Sequence, residues 1–259
     1  MSKISAVVIA RNSEDLILDC LNSLSFCDEI IVVDAGSKDK TIELAEKKGA
    51  KVLHFEPNDY AGSRNMGLKS ANCDWILYVD TDERVSDELK SNIKNQISKT
   101  DNEYGVFKLK RKNFYFGNHE WPYIEKLERL FKKNSLKGWY GKIHESPSFE
   151  GKVKTLDGYL LHYTHRNLSS MVDKTLEWSK IEAELRFKSG HPPMTWWRFP
   201  RVMITAFLDS YIRQKGFKAG AVGLLESMYQ SFSIFVTYAR LWELQNKQSL
   251  RSDDLKKKQ

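Results

Sequence analysis

The sequence predicts an α/β protein: a mostly parallel sheet, an antiparallel extension of that sheet, and C-terminal amphipathic helices. Three observations carry this. In the first hundred residues, short apolar runs alternate with segments of helical period. Between 104 and 163 the pattern becomes strand-rich, with Gly and aromatics in YGVFKLKRKNFYFG, KLERLFKK and GYLLHYTH. From 168 onward it is helical, broken once at SGHPPMTWW (189–197).

The elements follow in order. ISAVVIA (4–10) suits a strand buried on both faces, and EDLILDCLNSLS (14–25) sets Leu16, Cys20, Leu21 and Leu24 at helical spacing. Acids in its first turn favour the helix dipole. EIIVVD (29–34) reads as a second strand and TIELAEKKG (41–49) as a helix stopped at Gly49. KVLHF (51–55) is a third strand, a helix covers 60–71, and DWILYV (74–79) is the fourth strand. Repeated β-α units with continuous apolar strands imply a parallel sheet covered on both faces. Such sheets bind ligands beyond the carboxyl ends of their strands.

At 259 residues and 41% hydrophobic, the chain can bury one good core with a smaller appended unit. Cys20, Cys27 and Cys73 lack metal-ligand spacing and are odd in number, and the N-terminus runs directly into a strand. This favours a reducing, cytoplasmic setting. The net charge of +7 is local: residues 186–220 hold seven Lys or Arg against Asp209 alone. Those cations lie on apolar helices without a nucleic-acid fold motif, so nucleic acid is not expected as a partner.

The unusual polar residues fall after four successive strands: Arg11 and Asn12; then Asp34, Gly36, Ser37 and Asp39; then Arg64, Asn65 and Gly67; then Asp80, Asp82 and Glu83. Each cluster has a plain explanation by itself, a solvated turn, a helix cap or a surface charge. Their coincidence at four strand ends points to a ligand site. If the strand continued, Asp80 and Asp82 would project to one side. That spacing suits Mg²⁺ or Mn²⁺ shared between two carboxylates and a diphosphate.

VVDAGSKDKT resembles the DGSxDxT signature of family-two glycosyltransferases, YVDTDE their Asp-x-Asp metal motif, and SRNMG their ARNxG segment. KLERLFKKN…GWYGKIHESP resembles the RLF…HE segment of a bacterial subgroup that builds lipopolysaccharide core and related surface glycans. The resemblance covers nearly the whole chain. It departs at Asp34-Ala35-Gly36-Ser37, which has one residue more than the usual Asp-Gly-Ser.

The resemblance implies a GT-A (Rossmann-like) fold and inverting transfer of a sugar from a nucleotide-sugar, UDP-linked, to an acceptor hydroxyl. Asp34 would hold the base or ribose, with Arg11 and Arg64 as charge partners. Asp80 would face the ribose or the metal, and Asp82 would bind the metal. Glu145 is the candidate base, with Asp59 and Glu125 in reserve, and His144 would complete the metal shell or contact phosphate. His162 and His165 are read as structural or acceptor-side. The implied acceptor is a lipopolysaccharide-core or lipid-linked glycan.

The expected organisation is a catalytic domain over 1–166, with donor binding in 1–100 and the acceptor side in 101–166. A helical region (167–250) and a charged tail (251–259) follow. Basic and aromatic residues, with Trp196-Trp197 beside Arg198 and Arg201, suit helices lying on an anionic membrane surface. Placement on the inner face of the cytoplasmic membrane follows, with a homodimer interface as the alternative. Two other functions fit the residues less well. A nucleotidyltransferase would want a Gly-rich loop after the first strand, where IARNSED has none; a non-catalytic nucleotide-sugar module would not need intact acids at 34, 80 and 82.

Overall fold

A computed structural model describes residues 2–55, 59–99, 103–141 and 145–256. The chain divides into two compact units: Met1–Asn113 with Ile124–Tyr163, and Phe114–Tyr123 with Thr164–Gln259.

In the first unit, strands β1 (Ile4–Ala10), β2 (Glu29–Asp34), β3 (Lys51–His54) and β4 (Trp75–Asp80) alternate with helices α1 (Ile17–Ser23), α2 (Thr41–Lys47) and α3 (Tyr60–Ser70). Next come β5 (Glu83–Val85), α4 (Asp87–Ile97), β6 (Tyr104–Tyr115), β7 (His119–Lys132), β8 (Leu136–Tyr140), β9 (Ser146–Phe149) and β10 (Lys152–Tyr163). The main sheet has the order β3-β2-β1-β4-β7-β6-β10-β5, and β8-β9 form a separate ribbon. Strands β3, β2, β1 and β4 are parallel; β7 then pairs antiparallel with β4, and β5 antiparallel with β10. The α/β, mostly parallel sheet with an antiparallel extension is therefore present. Helix α1 is shorter than its 14–25 pattern, because residues 14–16 form a turn.

Continuous apolar strands are buried on both faces, and alternate residues enter different cores. Ala6 and Val8 of β1 pack with Ile17, Leu21 and Leu89; Val7 packs with Ile31, Tyr78, Phe131 and Trp139. Helix α3 lies close on the second face, where a Cβ on Gly67 would come within 2.3 Å of Val7 Cγ1. Helix α4 is polar except for buried Leu89, Ile93 and Ile97, and Ser86 caps it by accepting from the Leu89 amide at 3.3 Å.

In the second unit, α7 (Gly220–Lys256) packs against α5 (Leu168–Lys188) and α6 (Arg198–Leu208), the latter prolonged by a π segment at Asp209–Arg213. The predicted break falls between α5 and α6. His165 stacks on Tyr115 at 5.0 Å, and its Nδ1 lies 2.9 Å from Oε2 of buried Glu226. Trp121 is buried, its Nε1 donating to Gln214 Oε1 at 3.1 Å. Among the described residues, no helix is long and apolar enough to cross a membrane.

Gly158 of β10 has φ +86°, and a Cβ there would sit 2.4 Å from the backbone nitrogen of Leu89. Both the left-handed backbone and the contact with α4 require glycine. Gly158→Ala is expected to destabilise the first unit by about 2–4 kcal/mol, read from urea denaturation.

Candidate active site

The parallel register aligns the strand ends. Ala10 pairs with Asp34, Ile9 with Asp80, and Asp34 with His54, so the loops after β1, β2 and β4 leave from one edge. Those loops are tied together. The Asn12 amide donates to Ser37 Oγ at 2.9 Å, Ser13 N to Thr41 Oγ1 at 2.7 Å, and Glu14 N to Asp39 Oδ2 at 3.0 Å. The Ser13 and Thr81 hydroxyls meet at 3.1 Å, linking the first loop to the acidic one.

Asp34 is 2% exposed and turned toward its own loop. Its Oδ2 accepts from the amides of Gly36 and Ser37, both at 3.1 Å, and Gly36 takes φ +84° to make that turn. Arg11 lies exposed just past β1.

The three acids at and just past the end of β4 have three different environments. Strand geometry ends at Asp80, so Asp80 and Asp82 do not share the one-sided projection that a continued strand would give them. Asp80 Oδ1 takes a 3.0 Å bond from Arg64 Nη2, and Oδ2 a 2.8 Å bond from Arg129 Nη2. Burial pushes the Asp80 carboxyl up, but Arg129, Arg64 and Arg111 together hold it well below the usual carboxylate range. Glu83 is fully buried. Its Oε2 accepts from the Asp80 amide at 2.9 Å, and Oε1 lies 3.2 Å from Arg111 Nη1 and 3.7 Å from Arg129 Nη2. Under the loop, the buried Cys20 thiol donates to the Asp80 carbonyl at 3.4 Å.

Arg64 joins Asp80 to Glu145. Its Nε and Nη2 both reach Glu145 Oε1 at 2.9 Å, and its guanidinium lies 4.8 Å from the Trp139 ring centre. Arg64 is only 3% exposed, and its Nη1 is a buried donor without a partner among the described residues. Helix α3 thus brings Arg64 into one cluster with Asp80 and Glu145, residues 16 and 81 positions away.

Asp82 has a different neighbour. Pairing of His162 with Glu83 across β10 and β5 sets His162 Nε2 3.3 Å from Asp82 Oδ2. On the other side of the ring, Nδ1 is 2.7 Å from Asn113 Oδ1. Asn113 donates from Nδ2 to Glu125 at 3.3 Å, which turns its carbonyl toward His162 and fixes the proton on Nδ1. Two ligands at adjacent corners of an octahedron with bonds of about 2.1 Å lie about 3 Å apart. The Asp82–His162 separation is that of an ion pair and is also compatible with two corners of a divalent-cation site. Among the described residues no group of three or more His, Cys, Asp or Glu could hold a metal ion. His144 lies outside the described residues.

Of the reserve bases, Glu125 is engaged by Arg111 Nη2 at 2.7 Å, and Asp59 stands at the start of α3 without a side-chain cap bond. Sequence reasoning missed Arg111, Arg129 and the placement of His162. Arg111 is concealed among the lysines of KLKRK, whereas the apolar LF after Arg129 marks a buried strand from which a charge could reach the β4 end. The Leu77–Leu130 register brings Arg129 alongside that end.

Residues 5–151 match the family model for glycosyl transferase family 2. The chain belongs to that family. This glycosyltransferase is 31% identical over 271 residues to an uncharacterized glycosyltransferase of Rickettsia bellii, covering 98% of this chain and 92% of the relative. It is 28% identical over 253 residues to the lipopolysaccharide core biosynthesis glycosyltransferase LpsC of Rhizobium meliloti, covering 93% and 92%. A mannosyltransferase of Pyrobaculum calidifontis, solved with GDP-Man and Mn²⁺, superposes with a TM-score of 0.55 at 12% identity. That match covers 93% of this chain and 88% of the other, and likeness at such low identity speaks for the shared GT-A fold.

Arg129 neutralises two acids at once, so its removal leaves buried negative charge. Arg129→Met is expected to cost about 3 kcal/mol at pH 7 in urea denaturation. The depressed native pKa of Asp80 means that its stabilisation is present above the unfolded value near 3.9 and is lost as pH falls through the native one. The difference between wild type and variant should accordingly narrow below about pH 4.

Proposed function

We propose that this glycosyltransferase moves a sugar, with inversion, from a UDP-linked donor to a hydroxyl of a lipopolysaccharide-core or lipid-linked glycan. The observation that carries the reading is the separation of the acids. Asp80 and Glu83 are occupied by arginines, whereas Asp82 faces an imidazole nitrogen whose partner nitrogen is tied away from the site. The likeness to LpsC supports the acceptor class.

Asp82 and His162 would hold a divalent cation, Mg²⁺ or Mn²⁺. Bound there, the cation would supply charge stabilisation for the departing diphosphate. Arg64 Nη1 is the donor assigned to a phosphate oxygen, since Nε and Nη2 are already committed to acids. Asp34 acts through the loop that it holds, shaping the wall for the nucleotide, and Arg11 stands on the same donor side. Asp80 acts as a rigid support rather than an open carboxylate. Arg64 fixes Glu145 by its Oε1, and Glu145 Oε2 is assigned to the acceptor hydroxyl's proton as the hydroxyl attacks the anomeric carbon.

With such an acceptor the enzyme would sit peripherally on the inner face of the cytoplasmic membrane, held by the basic segment 186–220, with a homodimer as the competing arrangement. A panel of nucleotide-sugars with Mn²⁺, with turnover and donor affinity measured separately, tests the reading. Asp82→Ala should abolish metal-dependent donor binding and transfer without loss of fold. Glu145→Gln should keep donor affinity while turnover falls by about 10²–10⁴. Full activity of the wild type in EDTA would refute the cation, and normal turnover of Glu145→Gln would refute the base.

A further inference from the structure

The helical unit distributes its side chains in a way that water does not favour. On α7, the residues turned inward include Glu226, Ser227 and Thr237, all buried. Ser210 and Ser227 share a buried 2.9 Å hydrogen bond, Ser231 donates to the Met203 carbonyl at 2.7 Å, and Thr175 meets Ser233 at 3.1 Å. Small residues let the backbones approach, since a Cβ on Gly223 would overlap the Gly216 carbonyl oxygen.

The outward side is apolar. Leu225, Met228, Phe232, Phe235 and Trp242 recur at helical spacing and are all exposed, Met228 at 58%. That stripe spans about 25 Å of helix at 1.5 Å per residue. Helix α6 and its π extension add exposed Ile204, Leu208 and Ile212, four residues apart, with exposed Trp197 at the α6 N-cap, and Phe199 and Phe235 meet across the two helices at 6.1 Å. An exposed apolar face of this extent marks an interaction surface.

Charge selects the occupant. From Trp196 to Trp242 the chain has six Lys or Arg and two acids, Asp209 and Glu226. Neither acid is presented by the face: Asp209 pairs with Arg213, and Glu226 is buried against His165. A second copy would set cations against cations. Anionic headgroups would complement them while Trp196, 83% exposed, and Trp197 settle at the headgroup level.

We propose that the outer face of α6 and α7 beds into the headgroup–acyl boundary of an anionic bilayer, with the Leu225–Trp242 stripe as the apolar contact. This rests on the membrane placement above and deepens it by naming the apolar stripe that would add a salt-resistant component to the basic and aromatic contacts.

The test is cosedimentation of the full chain with vesicles of phosphatidylcholine with or without phosphatidylglycerol. Wild type should bind the anionic vesicles and remain largely bound at about 1 M salt, where the Debye length is about 3 Å. Met228→Glu/Phe232→Glu should lower partitioning on the order of a hundredfold. Because both positions are exposed, its melting temperature and donor turnover should match wild type. If this variant binds as wild type does, or if salt strips the wild type completely, the stripe is not the contact and only the charge-based placement survives. If wild type ignores both vesicle types and forms a dimer that the variant dissociates, the occupant is a second copy and the proposal is overturned. Donor turnover is measured apart from lipid binding, so failure of the glycosyl-transfer reading would appear independently.

Discussion

The arrangement at the end of β4 depends on Asp80 being gripped from two sides. Arg64 arrives from α3 and Arg129 from β7, and each takes one carboxylate oxygen. Two guanidiniums and buried Glu83 are costly to remove from water separately. Together they neutralise one another and fix the backbone that presents Thr81 and Asp82. The parallel half and the antiparallel extension meet at β4–β7, so the same contact secures the junction of the sheet.

Three acids in four residues would repel one another if left unpaired, and this division of labour removes that cost. In the fold Asp80 is paired from α3 and β7, Glu83 from β6 and the same β7 arginine, and Asp82 faces the His162 ring on β10. Arg64 extends the grip to Glu145, so a change at Asp80 would be felt at the assigned base as well as at the loop.

Much of the first unit is legible in the sequence because its strands are continuous apolar runs and its loops carry polar residues at fixed offsets. The clusters around Arg11, Asp34, Arg64 and Asp80 were visible on that basis. Contacts made by register were not. His162 reaches Asp82 only because it pairs with Glu83, and nothing local in LHYTH announces that partner. Helix α4 has no such local signal, since its three buried residues are spaced four apart among eight polar ones, with no apolar run. The helical region was readable as amphipathic, but which face would point outward was not. Its buried serines and threonines satisfy one another across helices, a pattern that residue hydropathy alone ranks the wrong way round.

Cys20 lies directly beneath the acidic loop, its thiol bonded to the Asp80 carbonyl and its pKa pushed up by burial. A thiol in that state is a poor nucleophile, because the reactive species is the thiolate. Alkylation at Cys20 must therefore wait for the buried thiol to be exposed. The chain thus carries a native reporter beneath the acidic loop, and ligands that hold the loop down on Cys20 would slow its modification.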